Sequence, residues 1–392
     1  MRQPSRIVGA VTCLAALLAI PCLARAQWDE ATWEPVCSGP EDEWLGKRSL
    51  ALDDAGTLHA AYTSRVGEDT DVYYRFKPAG GAWSEPEIVG DDPGHQLYVW
   101  LEVRKETGEP YIVFPRERDW MLAVRRGGAW TLTPLVVPPP NELHKLAMAV
   151  DREGRAHFSM VVRNESPFLW QIGYAYWDGT DDLHFQLREQ SGLVENALFA
   201  YPIIVARPDG SVVMAWQNFS PEGEVVAVAW NEHLGGTFWS QQHVRFPGWA
   251  LYPESLVITP QGHMHLSFNA NLGMGTMDHV GYTWKRAKSE VWEPIQWVAE
   301  GYPGARVKMA VSDRGEVHLV FDRTHRAKAV GDIVYVNGRN GKWRASYLVQ
   351  GSAFDPSLVL DPAGHCSILF RREIINLTDN DIEFYGYVEP PS

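Results

Sequence analysis

The chain has 392 residues, 45% of them hydrophobic and 12% aromatic, and carries a formal charge of −14. An acidic excess of this size opposes non-specific binding to nucleic acid or to anionic membrane surfaces, so neither is expected as a partner. Length alone suggests two or three domains, but repeat folds of this size count as one.

Residues 1–26 read as a secretory signal, with Arg2 and Arg6 as the charged start, Ile7 to Ile20 as the apolar stretch and Ala24-Arg25-Ala26 as the cleavage site. A lipoprotein alternative would anchor at Cys22, but Pro21 stands where such signals need a small residue. Cleavage leaves residues 27–392 and, by removing Arg2, Arg6 and Arg25, takes the charge from −14 to −17. No later stretch is long and apolar enough to span a bilayer. A secreted or periplasmic, monomeric protein without a membrane span is expected.

Along residues 27–392 one unit recurs. Turn glycines stand at Gly56, Gly108, Gly154, Gly210, Gly262, Gly315 and Gly364, with Tyr62, Phe114, Met160, Trp216, Phe268, Phe321 and Phe370 six residues after each. The spacings, 46 to 56 residues, fit one four-stranded propeller blade per glycine. In the fifth unit, Ser255–Thr259, His263–Phe268, Val280–Trp284 and Trp292–Val298 read as its four strands. Third strands carry Tyr73, Tyr174, Trp230, Tyr282, Tyr335 and Tyr385. Fourth strands open on Trp83, Trp130, Trp239, Trp292 and Trp343, or carry Phe185. The last unit supplies three strands, and Thr32–Cys37 near the start matches a fourth without a unit of its own. The expected fold is therefore all-β, a single seven-bladed β-propeller of four-stranded blades over residues 27–392, with the N-terminal strand completing the last blade. Cys37 and Cys366 could pair in an oxidising compartment, but this register puts a third strand between them, beyond disulfide reach.

The short turns after first strands lie on one face. The longer connections, Arg163–Gln171, Asn269–His279 and Asp322–Asp332 among them, lie on the other, where function is expected. Eight or nine residues past the glycine stand Arg65, Arg116, Arg163, Arg323 and Arg372. Nine before it stand Lys47, Lys145 and Arg306, and ten before it Tyr98, His144, Tyr252 and Phe354. These positions predict a basic, aromatic-lined funnel. Arginine forks take carboxylate or sulfate oxygens in pairs, and aromatic faces suit a sugar ring. The alternative is ordinary pairing with loop acids such as Glu68, Glu117, Asp119, Glu165 and Glu373. Glu142, Glu195, Glu254 and Asp355 precede first strands and keep acid-base catalysis open.

His59, His157, His265 and His318, three residues past their glycines, look like a metal set until geometry is considered. Each lies on the second strand of a different unit, so the four cannot converge on one ion. Packing or a cross-strand hydrogen bond is the expected role, and no metal or other cofactor is expected. Residues 27–392 contain no phosphate-binding loop, HExxH, CxxC or GxSxG.

The phrase Leu50-Ala51-Leu52-Asp53-Asp54-Ala55-Gly56-Thr57-Leu58-His59-Ala60-Ala61-Tyr62 resembles the secreted sialidase-like propellers with BNR-type repeats, and the resemblance runs over essentially the whole of residues 27–392. Asp boxes of the Ser-x-Asp-x-Gly-x-x-Trp type are absent, and no sialidase catalytic motif has a counterpart here. The resemblance implies a scaffold that serves as lectin, as sialidase-like glycosidase, or as lyase of uronic-acid polysaccharides. The first expectation is an exported glycan-binding propeller for an anionic or uronate-containing extracellular or cell-wall polysaccharide. The second is a lyase or glycosidase on acidic glycans. In the lyase, Arg116 or Arg323 would neutralise a uronate carboxylate while Tyr252 or His144 removes the adjacent proton. The third is a protein-interaction scaffold.

Overall fold

The computed structural model describes residues 34–39, 43–66, 69–90, 98–116, 119–165, 168–180, 183–187, 201–220, 223–236, 239–271, 279–300, 303–325, 330–339, 341–351, 353–375 and 380–386, with side chains at some strand ends left out. They form strands joined by turns and loops. The first is β1 (Glu34–Gly39). Then come β2 (Glu43–Leu52), β3 (Leu58–Val66), β4 (Asp69–Lys77) and β5 (Glu87–Gly90), followed by β6 (Trp100–Arg104), β7 (Glu109–Arg116), β8 (Asp119–Arg126) and β9 (Ala129–Leu135). The next meander is β10 (Asn141–Val150), β11 (Ala156–Glu165), β12 (Phe168–Trp177) and β13 (Leu183–Leu187). After it run β14 (Ile203–Ala206), β15 (Val212–Ser220), β16 (Gly223–Trp230) and β17 (Ser240–Val244). The chain continues through β18 (Ala250–Ile258), β19 (Met264–Asn271), β20 (His279–Lys285) and β21 (Gln296–Glu300). It then forms β22 (Pro303–Val311), β23 (Val317–His325), β24 (Val330–Arg339) and β25 (Lys342–Val349), and ends on β26 (Ala353–Leu360), β27 (Cys366–Ile375) and β28 (Asn380–Gly386).

Each consecutive quartet from β10 to β25 is a separate four-stranded antiparallel sheet. The quartets β2–β5 and β6–β9 are joined into one sheet by a single parallel pair, Arg48 with Trp100. As expected, the N-terminal strand completes the last sheet, in the order β1-β28-β27-β26. The first strands touch one another in a closed cycle, β2 to β6, β10, β14, β18, β22, β26 and back to β2. The whole is an all-β, propeller-like fold. Among the described residues, no helix is long and apolar enough to cross a membrane.

The glycine turns build every unit the same way. Each glycine has φ between +71° and +97°, a region that a side chain with a Cβ avoids. In six of the seven its N–H bonds the carbonyl three residues back, as in Gly56 to Asp53 at 3.1 Å and Gly262 to Thr259 at 2.8 Å, and in Gly108 it bonds the carbonyl of Arg104, four back, at 2.8 Å. A turn-opening carboxylate adds a second clasp, Thr57 N–H to Asp53 Oδ1 at 2.7 Å and Arg155 N–H to Asp151 Oδ1 at 2.9 Å. Six residues on, Tyr62, Phe114, Met160, Trp216, Phe268, Phe321 and Phe370 are all at most 3% exposed. Burying such side chains stabilises by roughly 1.5–3 kcal/mol each, so they are the main core column.

The histidines belong to this scaffold. His59, His157, His265 and His318 bond through Nδ1 to Tyr74, Tyr174, Tyr282 and Tyr335 on the next strand, at 2.6 to 2.9 Å. Tyrosine in turn presents its ring to the tryptophan of the following unit, Tyr74 to Trp130, Tyr174 to Trp239 and Tyr282 to Trp343, all edge-on at 5.2 or 5.3 Å. Thus a backbone turn, a histidine, a tyrosine and a neighbouring unit are tied in series.

Tyr73 lies on the third strand as expected and stacks on Tyr62, while its neighbour Tyr74 is the one that bonds the histidine. Two expectations are corrected. Fourth strands start later than expected at Trp83 and Trp292, which precede β5 and β21 by four residues. The connections read as Arg163–Gln171 and Asp322–Asp332 are mostly strand, because the β11–β12 and β23–β24 ladders continue through Glu165–Phe168 and His325–Val330. The backbone there stays paired, so residues such as Arg163 and Asp322 are carried on strands and not on loops. Cys366 is a buried free thiol with Sγ 3.3 Å from His318 Nδ1, and β28 does lie between its strand and β1. The side chain of Cys37 lies outside the described residues.

Candidate functional site

The first strands shape the site by their irregularities. Pairing with the second strand slips between Leu45 and Leu50, Leu143 and Lys145, Pro253 and Ser255, Pro303 and Val307, and Phe354 and Ser357. A bulge interrupts alternation and re-aims the side chains inside it. Those inside these slips include Arg48, His144, Glu254, Arg306 and Asp355. Glu142, Glu254 and Asp355, expected ahead of first strands, lie within them. Asp355 has φ of 57°, an uncommon left-handed conformation for a residue other than glycine, held in place by the bulge around it.

Two groups result. The first, at the loop ends of β10, β11 and β18, joins several residues predicted from the sequence. Lys145 Nζ lies 5.1 Å over the ring of Tyr201, a cation on an aromatic face. Tyr201 meets Tyr252 edge-on at 6.0 Å. Asn271 Nδ2 donates to the Tyr252 hydroxyl at 3.3 Å. His144 is exposed beside them. Desolvation, then the positive charges of Lys145 and Arg163, hold its pKa below the usual histidine value. Burial likewise lowers Lys145 and raises the Tyr201 phenol. This corner combines cations, two rings and a histidine biased toward its neutral form.

The second group is a buried ionic floor around the axis. Arg48 pairs with Glu102 at 2.7 Å, and Arg306 with Asp355 at 3.0 Å. Arg371 Nε stands 3.6 Å from the other Asp355 oxygen, with its guanidinium over Phe354 at 5.4 Å. Asn269 donates to Glu254 at 3.3 Å. Burial pushes Lys308 down to about 8 despite Glu254, and raises Asp322 to about 7, with Asp355 adding to the rise. Arg48, Trp100, Ile204, Glu254, Lys308 and Ser357 line a narrow axial cavity of about 80 Å³. A water fits such a space, whereas a sugar ring must stay above it on the loop face.

The other predicted residues are scattered by comparison. Tyr98 turns inward, donating to the Leu146 carbonyl at 3.0 Å and meeting Trp120 edge-on, and burial raises its phenol. Arg323 bonds the Tyr347 hydroxyl. Arg116, half-buried, is ladder-paired with Asp119. Lys47, Arg65 and Arg372 have backbones in β2, β3 and β27, and their side chains lie outside the described residues. Sequence reasoning missed Lys308, Arg371 and the place of Asp322. A signal existed one residue past the core column, where Gln217, Asn269, Asp322 and Arg371 stand in four successive units, all buried. Among the described residues no group of three or more metal-ligating side chains is gathered.

No protein-family model matches the sequence, and no curated protein matches it. The chain does share its fold with solved structures, polysaccharide lyases and an endosialidase among them. It resembles a polysaccharide lyase of family PL25, an ulvan lyase, with TM-score 0.58 and 11% identity over 89% of this chain and 95% of that one. It also resembles the polysaccharide lyase Uly1, with TM-score 0.58 and 8% identity over 87% of this chain and 89% of that one. The endosialidase of phage phi92 matches at TM-score 0.50 and 9% identity over 92% of this chain and 69% of that one. Identities this low carry the fold and nothing about chemistry.

Proposed function

We propose that this chain is an exported seven-bladed propeller that recognises an anionic, uronate-containing polysaccharide on its loop face. The closed cycle of first strands supports the blade count. The observation that carries the binding reading is the corner in which Lys145 lies over Tyr201 while Tyr201 meets Tyr252. Stacking on a ring and a fixed positive charge at its edge suit a sugar bearing a carboxylate. Arg163 supplies a further positive charge from the adjoining strand.

A lyase reading draws on one further observation, the lowered pKa of His144 beside two cations. A neutral imidazole at near-neutral pH can accept a proton, and the nearby cations can hold a uronate carboxylate whose neutralisation acidifies the adjacent C–H. Incubation with a panel of uronate polysaccharides separates the readings. Binding without products supports recognition alone, ultraviolet-absorbing unsaturated ends support elimination, and absence of binding across the panel contradicts both.

A further inference from the structure

In the ionic floor, one carboxylate takes two arginines and its neighbour takes none among the described residues. Asp355 holds Arg306 at 3.0 Å and Arg371 at 3.6 Å. Asp322, on β23, is 6% exposed, and its Oδ1 is buried without a hydrogen-bond partner among the described residues. The charged groups around it are Glu254 on β18, Arg306 and Lys308 on β22, and Asp355 on β26. Asp332 on β24 is occupied by the Gly351 N–H at 2.9 Å. Arg306 is the member of the Asp355 triad with a substantially accessible side chain, 27% exposed against 9% for Arg371 and 12% for Asp355.

We propose that Asp322 is a proton-binding site coupled to anion binding at Arg306: an anionic group that draws Arg306 from Asp355 leaves two carboxylates facing less positive charge, and Asp322 takes up a proton in response. The inference rests on the anionic-ligand reading above and extends it to Arg306. The carboxyl is already shifted by burial and by Asp355, with Arg306 opposing the shift. Weakening that opposition raises it further. By linkage the coupling is reciprocal, so protonation of Asp322 favours the ligand. Affinity for a carboxylated ligand then rises severalfold as pH falls from 8 to 6.5, bounded by tenfold per pH unit for one proton.

The test is calorimetric titration of the protein with a hyaluronan hexasaccharide at pH 7.5, in two buffers of different ionisation enthalpy. Wild type, Asp322→Asn, Arg306→Gln, His144→Gln and Lys308→Met are compared, the last two removing other groups whose protonation an anion can change, the imidazole beside the corner and the ammonium that burial holds down to about 8. Wild type, His144→Gln and Lys308→Met are expected to take up a proton when they bind. Asp322→Asn is expected to bind without uptake and with the same affinity at pH 6.5 and 8, and Arg306→Gln to bind more weakly and without uptake. Should Asp322→Asn not fold, Arg306→Gln decides. Binding by wild type without proton uptake, or uptake retained in either Asp322→Asn or Arg306→Gln, overturns this inference and leaves the recognition reading standing. No binding by wild type at either pH overturns both.

Discussion

Replacement of His157 by alanine tests the scaffold role of the histidine column. The imidazole is fully buried, 2.9 Å from the Tyr174 hydroxyl and 3.1 Å from Asp151 Oδ2. Asp151 keeps the backbone and guanidinium of Arg155, at 2.9 and 2.6 Å, so its carboxylate stays paired in the variant. The Tyr174 hydroxyl loses its imidazole partner, which costs about 1–3 kcal/mol for a buried group. The space vacated by the ring adds about 2 kcal/mol. A total of about 3–5 kcal/mol is expected, against about 1–3 kcal/mol for Tyr174→Phe, which leaves the buried His157 Nδ1 without its partner but vacates no ring-sized space. Urea unfolding followed by tryptophan fluorescence reads the difference as a shifted midpoint at unchanged slope. A His157→Ala protein within about 1 kcal/mol of wild type would refute the reasoning. So would one of native stability that had lost ligand binding, since that places the histidine in function.

Two other perturbations probe packing and protonation. Gly281→Ala puts a methyl group into the ring of Phe268, so overpacking is expected to cost about 1–3 kcal/mol in the same unfolding assay. A Gly281→Ala protein as stable as wild type contradicts that packing. His265 is held down to about 4 by burial, with His263 contributing. An unfolded histidine titrates near 6.5, so the neutral buried ring stabilises above that pH, and the stability is lost as pH falls from about 6.5 towards 4, by about 3 kcal/mol. Stability measured across pH 7 to 4 is expected to fall less steeply in His265→Asn, and parallel curves contradict the assignment.

The scaffold was legible because its requirements are local. A turn that needs φ near +80° selects glycine, and the core side chain six residues later keeps a fixed register to it. The strand order followed from that repeat, including the N-terminal strand beside β28. Tyr73 and Tyr74 show where local reading stops: adjacent strand residues face opposite sides, and two tyrosines in a row do not say which one meets His59. The candidate site depends on bulges, and a bulge is a relation between two strands. Nothing in the residues around Glu254 or Asp355 announces the slipped pairing that carries them to the axis. Asp322 was hidden differently. It sits at the polar end of a ladder that continues past the point where hydrophobic alternation ends.

The proposed binding of a carboxylated glycan at the Lys145, Tyr201 and Tyr252 corner turns on the Lys145 charge. Titration of wild type and Lys145→Ala with the same uronate oligosaccharide, with thermal melts as a check on folding, tests it most directly. Loss of one charge-assisted contact of about 1.5–3 kcal/mol predicts affinity weakened by roughly ten- to a hundredfold at an unchanged melting temperature. Equal affinity in the two proteins would contradict the claim and move the site away from this corner.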